Sequence, residues 1–164
     1  MRQILLLTAF LIPLFCYSQE YLQTNEKSVF EFETVKGKRL VIALDTNEKY
    51  LVYRYGTEKN IELEFPKKLS TSWNEFQFSW YLRGGGVQNE GLDLNYLYFD
   101  SGIYRYVVFQ EYSANSQRTD YGIKVINRET KNKTVIEANP TTVEGTLSNF
   151  RDVKSIKEGD ELFE

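Results

Sequence analysis

The chain has 164 residues, of which 41% are apolar and 15% aromatic, and its formal net charge is −3. It contains one cysteine, one methionine and no histidine. The lack of histidine excludes Ser-His-Asp and Cys-His nucleophiles and imidazole metal sites. The negative charge gives no electrostatic basis for binding nucleic acid. Catalysis would have to depend on carboxylates, tyrosines or lysines, and we expect no metal or other cofactor.

The first 18 residues have the pattern of a signal peptide. Arg2 supplies a positive charge, and an apolar run follows from residue 4 to residue 16. This run is shorter than the roughly 20 apolar residues of a membrane span. Cys16 and Ser18 are small residues at the −3 and −1 positions for cleavage after Ser18. The sequence therefore predicts export to the periplasm or beyond, with no membrane span in the mature chain.

Cys16 leaves one alternative open, because an exported cysteine can also carry a lipid. The preceding residue, Phe15, is bulky where a lipidation site has a small side chain. Cleavage after Ser18 is the prediction that we carry forward. It removes the only cysteine and the only methionine, so residues 19–164 cannot form a disulfide. A chain of this length can bury enough surface to fold without one, and we expect a single domain.

The first half of the domain alternates apolar and polar residues with the period of a β-strand. Strands are predicted over residues 28–35, 39–45, 50–55 and 61–65, separated by short polar turns. Pro66 ends the fourth strand because it has no N–H group to donate.

The second half repeats the pattern. In the next strand Phe76, Phe78, Trp80 and Leu82 alternate with polar residues. Further strands are predicted over residues 92–100, 103–112, 121–128 and 133–138. The strand 103–112 is apolar on both faces, which favours a central position in the sheet. Residues 147–150 are compatible with one helical turn packed on the sheet.

The fold class follows from these elements. About eight to nine strands joined by short turns predict an all-β domain, an antiparallel sandwich or barrel in meander order. From about residue 152 the charged sequence predicts a frayed C-terminal tail.

Familiar catalytic motifs are absent from the sequence. No Ser-x-x-Lys dyad, Gly-x-Ser-x-Gly elbow or phosphate-binding Gly-x-x-x-x-Gly-Lys loop occurs. Two carboxylate pairs, Glu31 with Glu33 and Glu62 with Glu64, have i, i+2 spacing on one strand face and could suit a glycosidase. Solvated outer faces of half-buried strands explain the same pattern, so the residues favour binding over catalysis.

Two loops carry the candidate binding residues. Three consecutive glycines can let a ligand approach the backbone, and a neighbouring arginine can fork onto a carboxylate or phosphate. A flexible hairpin connection and an ordinary glycine turn are the alternative explanations. The candidate residues of the first loop are Arg83, Gly84, Gly85 and Gly86, and those of the second are Ser101, Gly102, Tyr104 and Arg105.

Parts of the sequence resemble two groups of known proteins. Residues 53–66 (YRYGTEKNIELEFP) and residues 80–109 (WYLRGGGVQNEGLDLNYLYFDSGIYRYVVF) resemble a group of uncharacterised exported bacterial proteins. The Ser101-Gly102-x-Tyr104 turn is similar to the loop with which periplasmic lysozyme inhibitors plug the lysozyme cleft. That loop has two residues between glycine and tyrosine, whereas this chain has only Ile103, and the inhibitors' second motif, Tyr-x-x-x-Thr-Lys-Gly, is missing.

The functional expectation is an exported, non-catalytic binding or inhibitor-like module of the bacterial envelope that contacts a protein or glycan through its loops. The alternatives are a carboxylate-dependent hydrolase of an envelope polysaccharide and a purely structural envelope protein.

Overall fold

The structure is a computed structural model that describes residues 20–163. The predicted signal peptide, residues 1–18, lies outside the described residues and stays a prediction. Within the described part of the chain, no helix is long and apolar enough to cross a membrane.

The described residues form two β-sheets. The first sheet has the order β10-β1-β2-β3-β4 and is antiparallel throughout. Its strands are β1 (Glu26–Glu33), β2 (Arg39–Asp45), β3 (Leu51–Thr57), β4 (Asn60–Phe65) and β10 (Glu144–Gly145).

The second sheet has the order β11-β5-β6-β7-β8-β9, and only the β11–β5 pair is parallel. Its strands are β5 (Gln77–Arg83), β6 (Leu92–Ser101), β7 (Tyr104–Ser113), β8 (Arg118–Asn127), β9 (Lys133–Glu137) and β11 (Lys157–Glu158). The central position predicted for the strand 103–112 is confirmed, since β7 lies between β6 and β8.

Short helical segments connect or cover the strands. The α-helix α1 (Ser72–Glu75) follows a 3-10 turn over Leu69–Thr71, and further 3-10 turns span Val87–Asn89, Pro140–Thr142 and Leu147–Asp152. The last of these contains the helical turn predicted at residues 147–150. It buries Leu147 and Phe150 against the sheets.

The main core lies between the sheets. Alternate residues of each strand point inwards, so Phe30 and Ile42 of the first sheet meet Leu97 and Phe99 of the second. Aromatic rings dominate this layer: the ring centroids of Phe65 and Phe99 are 4.0 Å apart in a stacked arrangement. Packing of this kind supplies the stability that a domain without disulfides requires.

The sheets do not close on each other, so the barrel alternative is wrong and the sandwich is confirmed. The described residues contain eleven strands rather than eight or nine. At one side the sheets are joined by the isolated Thr34–Ala138 bridge, whose hydrogen bonds run from Val35 N to Glu137 O and from Asn139 N to Glu33 O. Strands β1 to β9 run in the predicted meander order, but the two-residue strands β10 and β11 return to β1 and β5.

The outer face of each sheet is covered by one end of the described chain. Residues 20–26, the N-terminal cover, lie over the first sheet, where Tyr21 packs with Val41, Ala43 and Val52. Arg54, whose side chain is 1% exposed, binds the cover by donating to Tyr21 O at 2.9 Å and to Glu26 Oε1 at 3.0 Å. Burial opposes ionisation of Glu26, but the hydrogen bonds from Arg54 and the Gln23 N–H outweigh it and lower its pKa.

Residues 157–163, the C-terminal strap, cross the outer face of the second sheet. Phe163 packs edge-on against Tyr96 and Tyr98, with ring centroids 5.4 and 4.9 Å away. The buried Lys124 ammonium donates to the carbonyl of Phe163 and to the carboxylate of Glu111. The segment that the sequence predicts as a frayed tail is therefore held along its length in the structure. Its charged residues face outwards, while Ile156 and Phe163 are buried.

Candidate functional site

The first predicted loop uses its own polar groups to close on itself. The guanidinium of Arg83 donates to the Glu90 carbonyl from Nε at 2.9 Å and from Nη2 at 2.6 Å. Asn89 Nδ2 donates to the Gly84 carbonyl at 2.8 Å. Gly85 and Gly86 adopt positive φ values, as their sequence suggests. The arginine that was expected to meet a ligand therefore holds the loop in shape.

The second predicted loop is the tight turn between β6 and β7. Gly102 has φ of +60°, and Ser101 pairs with Tyr104 across the hairpin. Tyr104 is 41% exposed and remains accessible to a partner.

Arg105, beside this turn, is occupied by neighbours in the same chain. Its Nε and Nη2 donate to the two carboxylate oxygens of Asp100 at 2.7 and 3.0 Å. This hydrogen bonding outweighs burial and lowers the pKa of Asp100. The same guanidinium lies over the ring of Tyr98, 5.2 Å from its centroid, and pairs with Glu161 of the C-terminal strap. Arg105 thus anchors the strap.

The two predicted loops lie far apart in the structure. They are at opposite ends of β6, which has ten residues and is therefore about 30 Å long. A small molecule cannot contact both Arg83 and Tyr104, so the two loops do not form one small-molecule site.

A different surface brings exposed aromatic and polar groups together. Trp80 and Leu82 follow Phe78 on the inner face of β5, but the first sheet does not cover them, and they are 45% and 55% exposed. On β6, Asn95 lies opposite Trp80 and Asp93 lies opposite Leu82. We call this uncovered end of the inner face, including Arg151 above it, the Trp80 face.

Arg151 holds the Trp80 face together. It reaches down from the 3-10 turn Leu147–Asp152 and donates to Asn95 Oδ1 from Nε at 3.0 Å and from Nη2 at 2.7 Å. Its Nη2 also pairs with Asp93. The guanidinium carbon lies 4.9 Å from the centroid of the Trp80 ring, a cation–π contact. One side of the indole is therefore fixed, while nearly half of the residue stays open to solvent.

A groove of about 380 Å³ adjoins this face. Trp80 and Arg151 line it together with Lys154 and Glu158, and Phe78 and Phe150 contribute apolar surface. Its volume falls in the range of about 300–1000 Å³ that small-molecule sites occupy. The side chains of Lys154 and Glu158 make no hydrogen bond or ion pair within the described part of the chain, so both side chains are available to a ligand.

The face extends across the sheet to β7. Tyr112 lies directly opposite Asp93 and is 38% exposed. Two strand spacings across the sheet and two residues along the strands separate Tyr112 from Trp80, a distance on the order of 12 Å. The surface therefore carries two aromatic side chains with a polar strip between them.

A larger cavity, about 600 Å³, lies beside the N-terminal cover. Its lining includes the carboxylates of Glu20, Glu33 and Glu58, together with Arg39 and Tyr21. Arg39 already pairs with Glu31 at 2.7 Å and lies over the Tyr21 ring. Tyr21 is only 7% exposed, so the cavity offers no open aromatic ring and is a weaker candidate than the Trp80 face.

The carboxylate pairs considered for hydrolysis have other partners. Glu62 pairs with Lys38 at 2.6 Å, Glu64 with Arg54 at 2.7 Å and Glu31 with Arg39. The carboxyl groups whose pKa values are shifted, Glu26, Asp45 and Asp100, are shifted downwards, whereas a general acid needs an upward shift. Among residues 20–163 no cluster of three acidic, histidine or cysteine side chains could hold a metal ion.

Comparisons with protein-family models, with curated proteins and with solved structures find no match. The resemblances drawn from residues 53–66, 80–109 and the Ser101 to Tyr104 turn therefore stay predictions.

Proposed function

We propose that this protein is an exported, non-catalytic binding module and that the Trp80 face is its binding site. The observation that carries the proposal is the exposure of Trp80 and Leu82 on the inner face of a sheet, beside a groove of about 380 Å³. A second sheet normally covers such positions, and large exposed apolar groups rimmed by polar residues are typical of interaction sites.

The electrostatics of the carboxyl groups favour binding over hydrolysis. A glycosidase needs a protonated carboxylic acid beside an ionised carboxylate. Glu31, Glu62 and Glu64 each form an ion pair with a neighbouring cation, so none of them is a free carboxyl group beside a second carboxylate. A purely structural role would leave the exposure of Trp80 without an explanation.

The test is saturable binding of the mature domain, residues 19–164, to envelope material. Insoluble envelope from a bacterial culture is divided into protease-treated and untreated samples, and bound protein is measured at increasing domain concentration. We expect saturable binding that Trp80→Ala weakens and that Arg83→Ala leaves unchanged, because Arg83 bonds only within its loop.

Four results would count against the proposal. Absence of saturable binding would contradict the module itself. Equal binding by Trp80→Ala and the wild type would move the site elsewhere, and loss of binding in Tyr104→Ala alone would favour the inhibitor-like turn. Release of reducing sugar from the envelope would favour the hydrolase alternative.

A further inference from the structure

We propose that the ligand of the Trp80 face is a neutral glycan chain, with one pyranose ring stacked on Trp80 and a neighbouring part of the chain on Tyr112. This inference rests on the proposed function and adds the class of ligand.

The indole of Trp80 is immobilised before any ligand arrives. Arg151 covers one side of the ring and is itself clamped by Asn95 and Asp93, so the side chain loses little freedom on binding. The face of an indole carries partial negative charge. The C–H groups on one side of a pyranose ring are weakly positive and nearly coplanar, so they pack well on such a surface.

The groove supplies hydrogen-bonding groups of both kinds. Lys154 can donate to sugar hydroxyls, while Glu158 can accept from them. Their opposite charges cancel locally, and the charge of Arg151 is balanced by Asp93. The site therefore matches a neutral ligand rich in hydroxyl groups better than a strongly charged one.

The spacing of Trp80 and Tyr112 favours a chain over a single sugar. The two side chains lie on the same face of the sheet, on the order of 12 Å apart. One ring cannot contact both. Between them lie Arg151 and Asp93, and the Asp93 carboxylate, which pairs with Arg151, is partly exposed and can accept from hydroxyl groups along the chain.

A protein partner fits this face less well. Protein interfaces bury about 800 Å² on each side, and their centres are depleted of Asp, Glu and Lys. Here Asp93 lies between Leu82 and Tyr112, in the middle of the face, and Lys154 and Glu158 stand beside Trp80. Burying these groups under an apolar protein surface would be costly, whereas sugar hydroxyls can satisfy them.

The experiment begins with an array of immobilised glycans, on which the domain is compared with its Trp80→Ala variant. Soluble oligosaccharides of two and four units, taken from the strongest glycan on the array and from N-acetylglucosamine and glucose polymers, are then titrated by calorimetry. We expect tetrasaccharide affinity to fall about tenfold or more in Trp80→Ala. Tyr112→Ala should weaken the tetrasaccharide but leave disaccharide binding unchanged.

Tryptophan fluorescence then locates the bound sugar. The chain has two tryptophans, so Trp73→Phe leaves Trp80 as the only source of tryptophan emission. Trp73 is in α1, and its Nε1 donates to Glu48 O at 3.1 Å, away from the groove. Sugar binding should shift the emission of Trp73→Phe. Tyr104→Ala, which removes an exposed aromatic at the far end of β6, is the matched control and should bind like the wild type.

The outcomes separate this inference from the proposed function. Glycan binding that survives Trp80→Ala overturns the stacking site but leaves a binding module. Binding to protease-sensitive envelope material with no glycan bound on the array overturns the ligand class alone. Absence of binding in both assays overturns the inference and the proposed function together. Circular dichroism and thermal unfolding of each variant show whether it is folded.

Discussion

Replacing Arg54 by methionine should destabilise the domain strongly, because the guanidinium is the cation that neutralises a buried carboxylate. Arg54 is 1% exposed and the side chain of Glu26 is 0% exposed. In Arg54→Met, Glu26 keeps hydrogen bonds from Gln23 N at 2.8 Å and Tyr50 Oη at 3.0 Å but has no positive partner. Breaking a buried ion pair from one side costs about 3–5 kcal/mol. That is a large part of the 5–15 kcal/mol typical of a domain.

Urea denaturation of the mature domain measures this loss. The double variant Arg54→Met, Glu26→Gln removes both charges, so we expect it to be more stable than Arg54→Met alone by at least about 1 kcal/mol. Lys38→Met is the matched control on the same sheet. The Lys38–Glu62 pair is more than a third exposed on each side and is screened by solvent, so its loss should destabilise the domain far less than Arg54→Met does.

The pH dependence has a definite sign. The pKa of Glu26 is lower in the folded state than its ordinary value of 4.5. Its contribution is therefore fully present above pH 4.5 and is lost as the pH falls through the folded pKa. The stability difference between wild type and Glu26→Gln should shrink in the same range. Two results would refute the reasoning. One is a loss of unfolding free energy in Arg54→Met no larger than that in Lys38→Met, and the other is a stability difference between wild type and Glu26→Gln that stays constant down to acid pH.

Three further predictions concern the second sheet. Gly122→Ala should lower the free energy of unfolding by about 1–3 kcal/mol, because a Cβ atom would lie 2.4 Å from a backbone oxygen of β9. Gly84→Ala, where a Cβ meets nothing within 4 Å, is its control, and equal urea midpoints would contradict the packing argument. Burial and a nearby strap carboxylate raise the pKa of Tyr98 to about 12, above its ordinary 10.0, so stability should decline as the pH rises from 10 towards 12. That decline should be smaller in Tyr98→Phe, and thermal unfolding between these pH values measures it. Phe163→Ala should cost up to about 3 kcal/mol and speed tryptic cleavage of the strap, whereas Leu162→Ala, with a side chain 46% exposed, should cleave at the wild-type rate.

The nine longer strands were predictable because each is encoded locally. Alternation with period two marks a strand wherever one face is buried, and polar residues with Gly37 or Gly102 mark the turns. The strands β10 and β11 have two residues each and depend on partners far away in the sequence, so no local pattern announces them. The choice between sandwich and barrel also depends on which edges meet.

The candidate site was missed because Trp80 belongs to an unbroken apolar stripe. Phe76, Phe78, Trp80 and Leu82 look like one buried face, yet the first sheet covers only the first two. A signal was present on the next strand. The inner face of β6 changes from Leu97 and Phe99 to Asn95 and Asp93. Polar residues at these positions indicate where the first sheet stops covering the second. The predicted loops misled because Arg83 and Arg105 find partners inside the chain.

The N-terminal cover precedes the strands that it covers, whereas the C-terminal strap follows the strands that it crosses. This difference affects the order in which the two sheets can fold. Residues 20–26 leave the synthesis or export machinery before the first sheet, so that sheet can shield its outer face as soon as β4 follows. The second sheet must wait for residue 163, and until then the ring surfaces of Tyr96, Tyr98 and Phe109 are open to water. A chain arrested before residues 157–163 are in place would therefore expose an aromatic surface, and quality-control proteases and chaperones would meet this half of the molecule first.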